Sequence, residues 1–529
     1  MMADKSRTFL SRKNVIFSLV GRLVGMVCAF AGRGIFVKTL NSEYLGLGGF
    51  FGNIFSVISL CELGIGAAIS QSLYKPLSDG NDNTVASYMR FFSKVNYVIG
   101  AVTFVLSVVA VPFLSATSAG NIPENELYVA YFLFAIHTSL SYVFSPKKCL
   151  VICDQRMYVV TAVNGVVSLL SLVLQSLVLV FTGSYIGYLV TRIGILTLRD
   201  IWINGYADKK YPFTKRKINP QKGYYRKIYE NVKALLWHKV GGTLCRSTDS
   251  LLLSVYVGLA GMGKYSNYAL VIGTVGAFFD VAVNAASASV GNLGAGDRGK
   301  KSEEIMRKMY FLNFFLLTLG LCVMVSTINP FIKLWLGEEM LFSIPEMAVI
   351  TACFYFSCIR DPVQIFLHTY GIFRETRFIP IVRAVVNFVL SVVFVKNMGM
   401  FGVFLGTLLS TVMVPLYFEV KMLYKYGFGN METKGFLKEM GGYILMSTSV
   451  ALLCFVLTAK LPQTLIGVVI RALASCVVTL VVLCIAYHDN RYFLFLKDVA
   501  KGTFRKTFKL SLTRRVSGKI NSQLENFFL

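Results

Sequence analysis

Nine cationic side chains lie within the long apolar stretches of this sequence, with five acids, Glu62, Asp249, Asp280, Asp361 and Glu419, at similar depth, and its chemistry must lie among them. Arg22 and Arg33 are eleven residues apart, three helical turns, so a single helix carries both on one face. Arg246 has Asp249 three residues on, the spacing of a helical ion pair. Guanidinium is the side chain best shaped for bidentate contact with a phosphate or carboxylate. Glu62 and Asp280 each precede a run of small residues. A carboxylate in a membrane span either carries a coupling proton or sodium ion or holds a broken helix together. Arg360 opens an Arg-Asp-Pro sequence that marks a helix break. Arg192 and Arg471 read as single charges paired for structure, while Arg199, Lys239, Arg383 and Glu419 lie near enough to a helix end to snorkel. The functional set is therefore Arg22, Arg33, Arg246 and Arg360 for an anionic substrate. Glu62, Asp249 and Asp280 are the ion-coupling or structural acids.

The elements that must position these groups follow from composition. Of 529 residues, 55% are hydrophobic and only 15% charged, with 53 Lys and Arg against 27 Asp and Glu, a net charge of +26. Mean hydropathy is +0.62. A soluble chain carries about a quarter charged residues, so a soluble nucleic-acid binder, a disordered tail protein and a secreted disulfide scaffold are excluded. Runs of the roughly 20 apolar residues that a bilayer requires lie near 14–37, 46–70, 93–113, 127–146, 158–181, 185–204, 236–257, 265–290, 309–329, 346–367, 378–395, 400–420, 441–459 and 464–487. They lack the period-2 alternation of a barrel. The short basic N-terminus with no small-residue cleavage site reads as leading into a retained first span.

Placing both termini in the cytoplasm puts 39 Lys and Arg on inside segments and five on outside loops, Lys38, Lys264, Lys333, Lys396 and Lys460, with nine inside spans. That asymmetry is the positive-inside rule. The basic excess thus reports topology and contact with anionic membrane lipids, not nucleic acid. The basic linker 205–233 divides 1–204, six spans, from 234–425, six more; spans at 441–487 and a basic tail at 488–529 follow. The expected fold is an all-α polytopic membrane protein of about fourteen transmembrane helices: two six-helix lobes in pseudo-twofold arrangement plus two C-terminal helices. Tyr44 with Glu62 in the first half and Tyr265 with Asp280 in the second stand at matching places, as in transporters built from parallel repeats.

No phosphate-binding P-loop is present; Gly294–Lys301 has Lys where Ser or Thr would hold magnesium. The four histidines and eleven cysteines form no ligand motif, so no metal is expected. No extramembrane segment has room for a soluble catalytic domain.

The stretch 33–51 (RGIFVKTLNSEYLGLGGFF), with 60–68 (LCELGIGAA) and 72–76 (SLYKP), resembles the opening of Wzx-type polysaccharide flippases. So do Thr248-Asp249-Ser250 with 263–268 (GKYSNY), and 399–407 followed by Leu423-Tyr424-Lys425. These belong to the MOP (multidrug/oligosaccharidyl-lipid/polysaccharide) exporter superfamily. The resemblance covers nearly the whole chain. It implies a two-lobed transporter in a bacterial plasma membrane, turning an undecaprenyl-diphosphate-linked oligosaccharide repeat unit to the outer leaflet by alternating access. It also implies a cationic cavity, which agrees with Arg33 and Arg246. No cofactor is expected beyond a proton or sodium gradient, and the implied partners are the polysaccharide polymerase and glycosyltransferases. Two other readings are MATE-like ion-coupled efflux, which needs an acidic cavity, and a membrane glycosyltransferase or polymerase, which needs a catalytic carboxylate or a large outer loop.

Overall fold

The computed structural model describes residues 2–62, 65–114, 122–216, 218, 240–245, 247–293, 299–429, 431–495 and 497. Arg246 lies outside them, as do the side chain of Asp280 and most of the basic linker and tail. Among the described residues the chain is helical, with no strand.

Where its residues are described, each of the fourteen apolar runs falls on helix. The first seven helices are α1 (Met2–Thr39), α2 (Ser42–Ile58), α3 (Ile65–Ser78), α4 (Asp82–Val109), α5 (Glu124–Cys153), α6 (Met157–Thr182) and α7 (Tyr185–Lys210). Next come α8, helical over 240–245 and 247–252, then α9 (Gly258–Leu293), α10 (Lys300–Leu336), α11 (Ile344–Cys358), α12 (Asp361–Thr369) and α13 (Phe373–Thr376). The rest are α14 (Ile379–Met413), α15 (Pro415–Met422), α16 (Lys434–Thr458) and α17 (Leu465–Ala486). Eight helical segments among the described residues are long and apolar enough to cross a membrane unaided, and one of these, Phe373–Gly427, contains two of the runs. This is a multi-pass membrane protein.

Local chemistry explains the boundaries. The Asn41 side chain accepts from the Glu43 and Tyr44 amides at 3.2 and 3.3 Å and so starts α2. Ser184 does the same for α7 through the Gly187 amide at 3.1 Å. Gly183, at φ +59°, ends α6 in the left-handed conformation that a glycine takes without strain. The run 46–70 is not one helix: a 3-10 turn at Ser59–Glu62 separates α2 from α3. The run 346–367 breaks at Arg360, as the following Asp-Pro requires, with Pro362 in the first turn of α12. Gly399, at φ +56°, interrupts α14 between the two runs that it joins.

Contacts divide the chain into two units. The larger comprises Met1–Phe278, Ile328–Ser357 and Gly371–Met422. In it α1 packs along α6, α4 along α5, and both α5 and α6 along α7. One core gathers Phe36, Leu47, Phe51, Phe55, Tyr131 and Tyr185; a second gathers Ile69, Leu73, Phe92, Leu150 and Ile203. In lipid such contact is driven by close packing and not by water exclusion, so glycines matter where backbones cross. A Cβ on Gly46 would stand 1.8 Å from the Leu259 carbonyl oxygen, and one on Gly263 2.2 Å from that of Ser42. The α2–α9 crossing is thus built on reciprocal glycines.

The second unit comprises Phe279–Thr327, Cys358–Tyr370 and Leu423–Leu529. Tyr310, Phe311, Phe314, Tyr443 and Tyr487 form its aromatic centre. Buried hydroxyl pairs tie α10 to its neighbours, Thr318 to Ser447 at 2.6 Å and Ser475 to Ser326 at 2.8 Å. Arg307 bridges Glu303 at 2.8 Å and Glu439 at 2.5 Å. Arg471 is structural, as its isolation in the sequence suggests, but its partners are not acids: it donates to the carbonyls of Ala459 and Leu461 beyond the end of α16.

Candidate functional site

Within the larger unit, α1, α2, α6, α7 and α9 enclose a cavity of about 550 Å³. The face of α1 that opens into it is small. Gly25, Ala29 and Gly32 line the space along with Cys28, Arg33 and Phe36. The small stripe of α1 therefore has two uses. Gly21 admits a neighbouring helix, since a Cβ there would stand 2.5 Å from Thr161, whereas Gly25 has nothing within 4 Å and leaves room.

Three arginines reach the cavity: Arg33 from α1, and Arg192 and Arg199 from α7. The last two are seven residues apart, two turns, and so lie on one face about 10 Å apart along the axis. Arg33 donates through Nη1 to Ser266 Oγ at 2.9 Å. Arg199 forks onto Asp200, Nε to Oδ1 at 2.9 Å and Nη2 to Oδ2 at 3.1 Å. Arg192 makes no hydrogen bond or ion pair among the described residues. Among the described residues no carboxylate lines the cavity. Two acids bond to lining residues, Asp200 to Arg199 and Glu126 as acceptor of the Tyr44 hydroxyl at 2.5 Å. A cleft lined by one sign of charge with low-dielectric walls concentrates counter-ions. Here the sign is positive.

The neutral part of the lining is also ordered. Asn164, Ser168, Ser171 and Gln175 of α6 face the cavity at steps of four, three and four residues. Tyr185 and Tyr188, with ring centroids 6.3 Å apart and 15° between planes, stand at the start of α7.

The other expected residues lie elsewhere. Arg22 does not line the cavity; it donates to the Ala277 carbonyl at 3.1 Å. Arg360 is buried, 7% exposed, at the junction of α11 and α12. Glu62 sits in the 3-10 turn against Gly66, where a Cβ would come 2.9 Å from its Oε1. Asp280 falls inside unbroken α9, so the matched acids of the two halves occupy unlike backbone.

Asp249 is held across helices. Its Oδ1 accepts from Asn387 Nδ2 at 3.1 Å and its Oδ2 from Thr407 Oγ1 at 2.7 Å. Asn387 Nδ2 also donates to Thr407 Oγ1 at 2.8 Å, while Ser391 Oγ and Thr407 Oγ1 both reach the Val403 carbonyl at 3.2 Å. Asn387 is fully buried, and its Oδ1 has no partner. One turn beyond Asp249, α8 widens into a π-helical turn at Leu253–Val257, a distortion common at functional sites. A half-turn of the Asn387 amide exchanges donor for acceptor.

No protein-family model and no curated protein sequence matches this chain. Solved structures do. A lipid II flippase, MurJ, in an inward closed conformation aligns over 90% of this chain and 99% of its own, with a TM-score of 0.64 and 14% identity. An inward-facing multidrug resistance MATE family transporter of the MOP superfamily aligns over 76% and 98%, at 0.60 and 14%. A MOP superfamily transporter from Pyrococcus furiosus Vc1, described as having a binding pocket of reversed polarity, aligns over 78% and 95%, at 0.54 and 12%. The chain has the fold of these transporters.

Proposed function

We propose that this protein is a secondary transporter, not an enzyme, that flips an undecaprenyl-diphosphate-linked oligosaccharide repeat unit across a bacterial plasma membrane for surface polysaccharide synthesis. The observation that carries the reading is a cavity whose described lining holds three arginines and no carboxylate. A diphosphate matches that charge, and a small organic cation does not, which counts against MATE-like efflux. Arg33 and Arg192 hold the diphosphate, Arg199 assists while tethered to Asp200, and the lipid tail stays between helices in the bilayer. Both termini are cytoplasmic, and the lobes read at 1–204 and 234–425 alternate access. A polymerase and glycosyltransferases act after and before it. In cells, the Arg33→Ala, Arg192→Ala double variant is expected to abolish surface polysaccharide at unchanged protein level. Continued export by that variant overturns the reading.

Coupling follows from the second constellation. Asp249, Asn387 and Thr407 would hold a sodium ion, and its binding supplies the driving force. The fit rests on the unpartnered Asn387 Oδ1, which would turn toward Asp249 in place of the Nδ2 that donates to it, and on the carboxylate and hydroxyl oxygens of Asp249 and Thr407. In proteoliposomes, flipping is expected to rise with an imposed sodium gradient and to lose that response in Asp249→Asn. Flux driven by a proton gradient alone, with no sodium effect, overturns the choice of ion.

A further inference from the structure

The reading above accounts for the cationic wall of the cavity and leaves its α6 wall unused. In α6, Asn164, Ser168, Ser171 and Gln175 share the cavity face, whereas Val166, Leu170, Val173 and Leu177 are exposed on the opposite side. Polar residues on one face of a membrane helix face the protein interior and are retained there for a reason, since they are costly in lipid.

Their hydrogen-bonding capacity is largely free. Ser168 satisfies itself on the Asn164 backbone carbonyl at 2.8 Å. The side chains of Ser171 and Gln175 make no hydrogen bond among the described residues, and Asn164 Oδ1 is buried without a partner. None of the three carries charge, so none adds to the attraction for phosphate. Uncharged donors and acceptors spaced along a wall, with tyrosine faces nearby, are the equipment for hydroxyl and amide groups.

We infer that the α6 stripe is a carbohydrate subsite: Asn164, Ser171 and Gln175 recognise the sugar residue attached directly to the phosphate that Arg33 and Arg192 hold. This rests on the anion-site reading and gives that site a second, neutral half. The arginines anchor any phosphorylated lipid carrier, and α6 separates carriers by their first sugar. Discrimination arises because a ligand without matching groups leaves buried amides and hydroxyls unpaired.

The test uses purified full-length protein in lipid nanodiscs and equilibrium binding of four probes. They are inorganic phosphate and the 1-phosphates of glucose, galactose and N-acetylglucosamine. At least one sugar phosphate is expected to bind about tenfold tighter than phosphate, and the preferred sugar names the substrate's first residue. The Ser171→Ala, Gln175→Leu variant is expected to lose that advantage while its phosphate affinity stays within about twofold, which shows that the cavity is still folded. Arg33→Ala is expected to weaken all four probes together. If no sugar phosphate exceeds phosphate, or the advantage survives in the α6 variant, the subsite is overturned. If phosphate itself binds equally to wild type and Arg33→Ala, the anion site fails instead.

Discussion

Arg192 and Arg199 differ in a way that a count of charges conceals. Both line the cavity, but Arg199 is pinned by Asp200, whose side chain is 7% exposed, while Arg192 has no hydrogen-bond or ion-pair partner among the described residues. Removing Arg199 leaves a buried carboxylate without its bidentate partner, a loss of about 1.5–3 kcal/mol for a charged hydrogen bond. Removing Arg192 strands nothing. Arg199→Ala is therefore expected to lower the melting temperature of the purified protein, and Arg192→Ala to leave it within about a degree while abolishing export. Equal melting shifts for the two would contradict this division. Neither residue stands out in the sequence, because both sit in one run, 185–204, and only their seven-residue spacing hints at a shared face. Arg33 is legible, being deep in an apolar run. Asp249 is legible too, but not its partners. Asn387 and Thr407 are uncharged and lie 138 and 158 residues away, so spacing along the chain points only to Arg246.

Elements were easier to read than their interruptions. A run of apolar residues long enough for the bilayer must become helix, because every backbone group in lipid needs an internal partner. That logic finds all fourteen runs. It does not distinguish one helix from two, and Ser59–Glu62 splits a run that reads as continuous. The break at Arg360 was readable because proline announces it. Glycine is the harder signal, since its two uses on α1, contact and vacancy, look alike in sequence. At Gly46 the use is contact. Its missing Cβ lets α2 lie on the Leu259 carbonyl, and Gly263 answers on the other helix. Gly46→Ala must push the helices apart, an overpacking loss of about 1–3 kcal/mol. A lowered melting temperature is expected in detergent and in nanodiscs alike, with Gly25→Ala, where space is open, as the control. A Gly46→Ala protein as stable as that control would show that the crossing is slack.

At the scale of the whole molecule, the net charge of +26 serves two purposes that must be kept apart. The cavity uses three cations. Under the proposed topology most of the rest orient the chain, and this makes a prediction that needs no mutation. The five cations that the proposed topology places outside are all lysines, at 38, 264, 333, 396 and 460, and each ends or follows an apolar run whose other end is rich in Lys and Arg. Lys38, Lys396 and Lys460 are exposed, and Lys333 is paired with Glu338 in a contact open to solvent. An amine-reactive, membrane-impermeant reagent applied to right-side-out vesicles is expected to modify lysines from this set of five alone, with Lys333 slower than Lys460 because of its ion pair. Inside-out vesicles are expected to give the complementary set, including Lys147, Lys301 and Lys425. Peptide mapping reads both. Modification of Lys147 or Lys425 from the outside would invert part of the topology. The arginines of the cavity would then meet their anion from the opposite leaflet, and the direction of transport argued above would fall with it.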